Sequence, residues 1–102
     1  MPPKVAFVTW VHNGAATLAT SIESVLHQRY PHFVYYVIDN HSTDATAAII
    51  RHYADRDARV RYLHRPVNSY DLRLFKWAIE AMDEDYDYFV IWMRTTLTTP
   101  IF

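Results

Sequence analysis

Residues 5–46 of the chain, VAFVTWVHNGAATLATSIESVLHQRYPHFVYYVIDNHSTDAT, decide the fold. This stretch contains two short apolar runs rich in β-branched and aromatic residues, at 5–11 and 33–38, which are typical of strands buried on both faces. Between them, residues 15–28 carry apolar side chains at helical spacing, and Pro31 ends that helix. The stretch therefore predicts a strand, a helix and a second strand parallel to the first.

The rest of the chain continues the alternation of strands and helices. Residues 42–44, Ser-Thr-Asp, offer N-cap oxygens for a second helix, and the apolar runs at 60–63 and 88–93 predict two further strands. Between these strands we predict a third helix whose buried face consists of Leu72, Phe75, Ile79 and Met82. The order βαβαβαβ predicts an α/β fold, a three-layer αβα Rossmann-like arrangement with a mainly parallel sheet.

The composition of the 102-residue chain excludes several kinds of site. Gly14 is its single glycine, so the dinucleotide fingerprint, the P-loop and the nucleophile elbow, which all need two or more, cannot be present. Cysteine is absent, which excludes disulfides and thiolate metal sites. A formal net charge of -1 without a basic cluster argues against nucleic acid, and the apolar runs fall short of the ~20 residues of a membrane span.

Polar residues follow each predicted strand at its carboxyl end. They occupy positions 12–13, 39–42, 65, 68 and 94–96. In open α/β sheets ligands bind beyond the carboxyl ends of the strands, where helix N-termini and loops converge. Loops are polar on the surface of any fold, so this pattern alone leaves a ligand site and an ordinary set of loops equally open.

Two sequence motifs favour a ligand site over an ordinary set of polar loops. The first is SVLHQRYP at residues 24–31, and the second, VIDNHSTDAT at residues 37–46, joins an apolar strand to a helix. Together with VRYLHRPVN at residues 60–68, they closely resemble the start of family 2 glycosyltransferases with the GT-A fold. The resemblance covers residues 5–93 and implies the N-terminal, nucleotide-binding half of an enzyme that transfers a sugar from a nucleotide-diphosphate-sugar donor to an acceptor hydroxyl.

The resemblance implies a donor site at the carboxyl edge of the sheet. In it Asp39 accepts the N–H groups of the base, and the turn after the first strand lines the base and ribose. Uracil is the expected base, which makes a UDP-sugar the expected donor, with guanine and thymine left open. His12 stands where the family usually has an aromatic ring. The nucleotide-binding residues implied in this way are Val11, His12, Asn13, Asp39, Asn40, Asn68 and Lys76.

Several of these residues also have a purely structural interpretation. Asp39 can cap the loop that follows it, because Asp commonly bonds its own backbone two residues on. Lys76 either faces the diphosphate or lies on a solvated helix face. Asn68 matches the start of an N-x-G loop, but Tyr70 stands in place of the glycine. The sequence leaves these alternatives open.

The family's metal-binding motif is missing at its expected place. Family members carry D-x-D directly after the fourth strand, where the carboxylates hold Mg²⁺ or Mn²⁺ against the sugar diphosphate. Here Arg94 and Thr96 stand where those acids are expected, so we expect that this chain does not bind the metal of the parent family. The D-x-D-x-D run at residues 83–87 precedes the fourth strand, and we expect it at the opposite edge of the sheet as a solvated loop.

We predict a single domain of residues 1–102 with an atypical tail at 95–102. The acceptor-binding half of the family supplies the catalytic base of inverting members, so no catalytic base is predicted here, and we interpret the chain as an incomplete or truncated form of the enzyme. We expect a cytoplasmic location, with the parent protein peripheral to the membrane.

A second hypothesis is a non-catalytic nucleotide-binding or self-assembling module on the same scaffold. Uncovered strands and apolar patches seek partners, which would make the chain a homo-oligomer. A phospho-receiver domain is a weaker hypothesis, because that family clusters carboxylates after its first strand, where this chain has His12 and Asn13.

Overall fold

Strands and helices alternate along the whole described chain. The structure, a computed structural model, describes residues 2–67 and 72–92. Its elements in chain order are β1 (Val5–Val11), α1 (Leu18–Leu26), β2 (Phe33–Asn40), α2 (Thr46–Arg56), β3 (Val60–Arg65), α3 (Leu72–Ala81) and β4 (Tyr88–Ile91). The predicted order βαβαβαβ is therefore confirmed.

All four strands lie parallel in one sheet with the order β3-β2-β1-β4. β1 pairs with β2 on one side and with β4 on the other, so that Val5 lies opposite both Phe33 and Tyr88. From β1 the chain steps outward to β2 and β3 and then returns to the other side of β1. The strand order reverses between β1 and β4, and in open sheets of this kind ligands bind beyond the carboxyl ends of the strands near such a point.

Successive side chains of the inner strands point to opposite faces of the sheet, and each face is covered by helices. One cluster joins β1 and β2 to α1 and α2, through the buried residues Phe7, Val11, Tyr35, Val37, Ile22, Val25 and Ile50. The other joins the alternate positions of these strands to α3 and the residue after it, through Ala6, Val8, Val34, Tyr36, Ile38, Ala78 and Met82. These two clusters confirm the predicted three-layer αβα arrangement.

The predicted buried face of α3 is wrong in three of its four residues. Leu72 is 87% exposed, Ile79 45% and Phe75 38%, whereas Leu74 and Ala78 are buried together with Met82. Leu74 and Ala78 are also spaced i, i+4, so helical periodicity could not choose between the two rows. The small side chain of Ala78 lets the helix approach the sheet. Phe75 still contacts the Trp10 and Phe89 rings edge-on, with centroids 6.5 and 5.6 Å away.

Several element ends differ from the prediction. α1 begins at Leu18 rather than at residue 15, because residues 14–17 form a turn in which the Gly14 carbonyl accepts the N–H groups of Thr17 and Leu18. β2 continues to Asn40 and β3 to Arg65, two residues further than expected. The extension places the polar residues at positions 39 and 40 inside the sheet.

A buried chain of hydrogen bonds connects β2, β1 and the residue after β4. The Tyr35 hydroxyl donates to Thr9 Oγ1 at 2.8 Å, and Thr9 Oγ1 donates to the Trp92 carbonyl oxygen at 2.5 Å. Tyr35 is fully buried and Thr9 almost so, and this burial raises the pKa of the Tyr35 phenol. The neutral phenol therefore acts as a fixed donor inside the sheet.

The acidic run before β4 lies at the amino edge of the sheet, as predicted. The backbone N–H of Lys4 donates to Asp87 Oδ2 at 2.8 Å, and the Tyr36 hydroxyl donates to Asp83 Oδ1 at 2.9 Å. Lys4 and Arg61 form ion pairs with Glu84, and the hydrogen bond from Lys4 is the main cause that lowers the pKa of this carboxyl. These acids therefore join the segment before β4 to β2, to β3 and to the residue before β1 at the amino edge.

Candidate functional site

Asp39 lies at the carboxyl end of β2, beside Val11 of β1 on one side and His64 of β3 on the other. Its side chain is 1% exposed. Oδ1 accepts the backbone N–H of Ser42 at 2.9 Å, while Oδ2 lies 3.6 Å from His64 Nδ1. The loop-capping interpretation of Asp39 is thus confirmed for one oxygen, and the second oxygen faces an imidazole nitrogen.

The ring of His12 is oriented by two hydrogen bonds. Its Nδ1 lies 3.0 Å from the Asn40 carbonyl oxygen, and its Nε2 lies 3.3 Å from Asn13 Nδ2. A carbonyl oxygen can only accept, so we assign the hydrogen to Nδ1 and leave Nε2 as an acceptor for the Asn13 amide. The arrangement fixes the orientation of the ring at the end of β1.

Asn13 links the turn after β1 to the loop after β2. Its backbone has φ 51°, a left-handed conformation that Asn adopts more readily than most residues. Its backbone N–H donates to Ser42 Oγ at 2.9 Å, and its Oδ1 accepts the N–H of Thr43 at 2.8 Å. Residues 42–44 were predicted as helix caps, and Ser42 and Thr43 instead join these two loops.

The start of α2 and the residue before its N-cap are hydrogen-bonded to the turn that follows β1. Thr46 Oγ1 accepts the Gly14 N–H at 3.0 Å, and Asp44 Oδ2 accepts the Ala15 N–H at 3.3 Å. Asp44 Oδ1 also accepts the Thr46 N–H at 2.9 Å, which makes Asp44 the one predicted cap that bonds the first turn of this helix. The hydrogen bond from the Thr46 hydroxyl is the main cause that lowers the pKa of Asp44.

Gly14 is required for close packing. Its φ is not positive, and a Cβ built at this position would lie 2.4 Å from Val11 Cγ2. Valine has few χ1 rotamers and cannot easily turn the methyl group away. We therefore expect Gly14→Ala to lower the free energy of unfolding by about 1–3 kcal/mol, the usual effect of overpacking, measured by urea unfolding.

The double variant Val11→Ala with Gly14→Ala is the control for this effect. Removing the valine methyl groups removes the clash, so the alanine at position 14 should destabilise the Val11→Ala background much less than the native one. An equal loss in both backgrounds would contradict the packing explanation.

Arg65 and Asn40 form a buried polar pair next to Asp39. Asn40 is fully buried and Arg65 is 4% exposed, and Arg65 Nη1 donates to Asn40 Oδ1 at 3.0 Å. The same nitrogen lies 3.5 Å from the Val67 carbonyl oxygen. The pair therefore fixes the Asn40 side chain, while the Asn40 carbonyl oxygen holds His12.

Sequence reasoning counted Arg65 among the polar residues at the carboxyl ends of the strands, but it named neither Arg65 nor His64 as a nucleotide-binding residue. Both lie at the end of β3, and the parallel register puts His64 opposite Asp39 and Arg65 opposite Asn40. His41 lies next to them, with φ 58° and its ring centroid 6.0 Å from that of His64. The available signal was the pair of polar residues at the end of each strand, which becomes informative only with the register.

Five of the seven predicted nucleotide-binding residues come together at the carboxyl edge: Val11, His12, Asn13, Asp39 and Asn40. Lys76 lies on the exposed side of α3, 82% exposed, with its Nζ 3.9 Å from Glu80 Oε1. Asn68, and Arg94 and Thr96 at the expected metal position, lie outside the described residues. The Lys76 and Asn68 assignments stay predictions.

An open cavity of about 1130 Å³ lies away from this edge. Its lining comes from the first halves of β1 and β4 and from α1 with the turn after it, and includes Val5, Phe7, Glu23, Tyr30, Tyr88 and Val90. Of the predicted site residues that the structure describes, none lines this cavity. The polar side chains of the carboxyl edge and this cavity therefore lie at different places, and we assign the candidate site by its chemistry.

The all-parallel sheet with helices on both faces defines an α/β protein with a Rossmann-like fold. The family model for glycosyl transferase family 2 matches residues 6–93, and the chain belongs to this family. The predicted resemblance is confirmed. Within the described parts of the chain, no helix is long and apolar enough to cross a membrane.

Several relatives carry glycosyltransferase names. The chain is 41% identical over 58 residues to EpsE of Bacillus subtilis, covering 53% of this chain and 21% of that protein. It is 31% identical to TuaG of the same organism, named for teichuronic acid biosynthesis, covering 66% and 27%, and 30% identical to an uncharacterized glycosyltransferase of Haemophilus influenzae, covering 82% and 34%. The chain thus spans about a fifth to a third of the length of these relatives.

A solved structure has the same fold. The mannosyltransferase PcManGT from Pyrobaculum calidifontis, in complex with GDP-Man and Mn²⁺, superposes with a TM-score of 0.71 at 18% identity. The match covers 81% of this chain and 25% of that protein. It confirms the GT-A, Rossmann-like architecture.

Proposed function

We propose that the carboxyl edge of the sheet binds the base and ribose of a nucleotide-sugar donor for glycosyl transfer. The observation that carries this proposal is Asp39, a buried carboxylate at the carboxyl end of β2 whose Oδ1 accepts the Ser42 N–H and whose Oδ2 lies 3.6 Å from His64 Nδ1. A buried charge is costly unless it is hydrogen-bonded, and the N–H group of a base is a suitable donor.

The surrounding residues support the same role. The His12 ring is fixed by Asn40 and Asn13, so a base can stack on it without the entropy loss of ordering a free side chain. The two loops are held to each other by Asn13 and Ser42, which gives the site a preformed shape. Family membership supports the parent reaction, an inverting transfer of the sugar to an acceptor hydroxyl in a single displacement.

The structural neighbour bears on the class of donor and on the metal. The structural neighbour binds GDP-Man, which supports a nucleotide-sugar as the ligand class, while UDP-sugar stays our predicted donor. Mn²⁺ accompanies GDP-Man in that neighbour, but the described residues of this chain offer no group of three or more His, Asp or Glu that could hold a metal ion. The described residues therefore do not supply the ligands of a metal site.

A titration of the 102-residue chain with UDP and GDP, with and without Mn²⁺, tests the proposal. We expect saturable binding of at least one nucleotide, with Mn²⁺ leaving its affinity unchanged, and NMR shifts at residues 11–13 and 39–42. A folded chain that binds neither nucleotide would contradict the proposal.

One observation favours the second candidate, a self-assembling module. Leu72 and Ile79 lie exposed along α3, and exposed apolar patches mark contact surfaces. A folded chain that binds no nucleotide, with a mass in light scattering that rises with concentration, would support this alternative. The cytoplasmic location and the peripheral membrane association of the parent protein stay predictions.

A further inference from the structure

We propose that His64 determines base specificity in the donor site. Together with Asp39 it selects a base that carries a ring N–H beside a carbonyl oxygen, as uracil and guanine do. It rejects a base that carries a bare ring nitrogen beside an amino group, as cytosine and adenine do. This inference rests on the proposed function. It adds a specificity-determining residue from β3 and specifies which bases the donor site accepts.

The sheet register places the two side chains together. Asp39 and His64 are direct partners in the β2/β3 ladder, so their side chains leave the same face of the sheet. Asp39 is 1% exposed, whereas the side chain of His64 is 49% exposed, so the pair is buried at the carboxylate and open at the imidazole. A ligand can therefore reach the pair from the side of His64.

The contact between Asp39 and His64 leaves hydrogen-bonding capacity on both side chains. An ionised carboxylate only accepts hydrogen bonds, so we assign a hydrogen to the His64 Nδ1 that faces it. The separation of 3.6 Å exceeds the usual range of an N–H···O hydrogen bond. Ser42 occupies Oδ1 of Asp39, so the site presents one acceptor, Oδ2, and one donor, the imidazole N–H, side by side.

This pair matches the edges of the keto bases. Uracil donates its N3–H to Oδ2 and accepts the His64 N–H at O4, and guanine does the same with N1–H and O6. Cytosine and adenine carry an amino group where the keto bases carry this oxygen, and a ring nitrogen lone pair would face the carboxylate. The mismatch leaves polar groups of the site without partners, which makes discrimination of this kind strong.

UDP and CDP differ only at the base edge that carries N3 and the substituent at C4. The ratio of their affinities therefore measures the proposed selection of keto bases directly. We would titrate the 102-residue chain and three variants with UDP, CDP, GDP and ADP by calorimetry. We expect the native chain to bind UDP at least about 10-fold more tightly than CDP, and GDP more tightly than ADP by a similar factor. In His64→Phe, which keeps a ring without the donor, the UDP:CDP ratio should fall about fivefold or more through weaker UDP binding.

Two variants serve as controls. His64→Gln keeps a side-chain N–H donor and should retain most of the UDP preference. His41→Asn removes the neighbouring ring and suits the left-handed backbone at that position, and it should leave the UDP:CDP ratio unchanged. Near-ultraviolet circular dichroism checks that each variant is folded, and if His64→Phe fails to fold, His64→Leu, which also lacks the donor, takes its place.

The outcomes separate this inference from the function on which it rests. A native chain that binds UDP and CDP equally, or a folded His64→Phe with the native ratio, would overturn the role of His64 and leave the donor site in place. A loss of the UDP preference in His41→Asn as large as that in His64→Phe would also overturn it. Failure of the folded native chain to bind any of the four nucleotides would overturn the donor site itself.

Discussion

Asp39→Asn should weaken nucleotide binding about 100-fold, because it replaces a charge-assisted acceptor by an amide whose N–H₂ opposes the N–H of the base. The asparagine oxygen can still accept the Ser42 N–H, so the cap at the start of the loop is kept. We expect the free energy of unfolding to change by less than about 1 kcal/mol, since one capping acceptor is exchanged for another. Calorimetric titration with UDP and GDP measures the first effect, and urea unfolding measures the second.

Asp55→Asn is a matched control for Asp39→Asn. It makes the same change of charge at an exposed position near the end of α2, away from the carboxyl edge. Its affinity for nucleotides should stay within about twofold of the native value, because a distant exposed charge is screened by salt. Equal affinities in the two variants would show that Asp39 is only a loop cap, and the proposed donor site would then lose its main support.

The order of the elements could be predicted from the sequence because each strand is a short apolar run bounded by polar or turn residues. Phe33 to Ile38 needs no tertiary information to be identified as a buried strand, since its side chains are apolar on both faces. The buried row of α3 could not be predicted in the same way. Leu74 with Ala78 and Phe75 with Ile79 have the same spacing, and only the close approach of a small residue to the sheet decides between them.

The candidate site could be predicted in part for a related reason. His12, Asn13 and Asp39 follow strands directly in the sequence, so the rule for parallel sheets brings them to one edge. The placement of His64 beside Asp39 depends on the register between β2 and β3. That pairing lies in the two residues by which each of these strands extends beyond its predicted end, and a single sequence does not specify which residues of two parallel strands lie opposite each other.

Thr9→Val should be the most destabilising conservative substitution in the sheet. Valine has nearly the shape of threonine, but it leaves the buried Tyr35 hydroxyl without its acceptor and the Trp92 carbonyl oxygen without this donor. An unsatisfied buried polar group costs about 1–3 kcal/mol, and the lost hydrogen bond adds about 1 kcal/mol. We therefore expect the free energy of unfolding to fall by about 2–4 kcal/mol, measured from urea unfolding curves.

Tyr35→Phe is the informative comparison, because it removes the buried donor itself. The Thr9 hydroxyl can still donate to the Trp92 carbonyl oxygen, so this variant should lose only about 1 kcal/mol. In the double variant no buried hydroxyl is left unsatisfied at position 35, so its loss should be smaller than the sum of the two single losses. Strict additivity would show that the two hydroxyl groups do not act as one chain, and that the connection from β2 through β1 to Trp92 contributes no coupling to the fold.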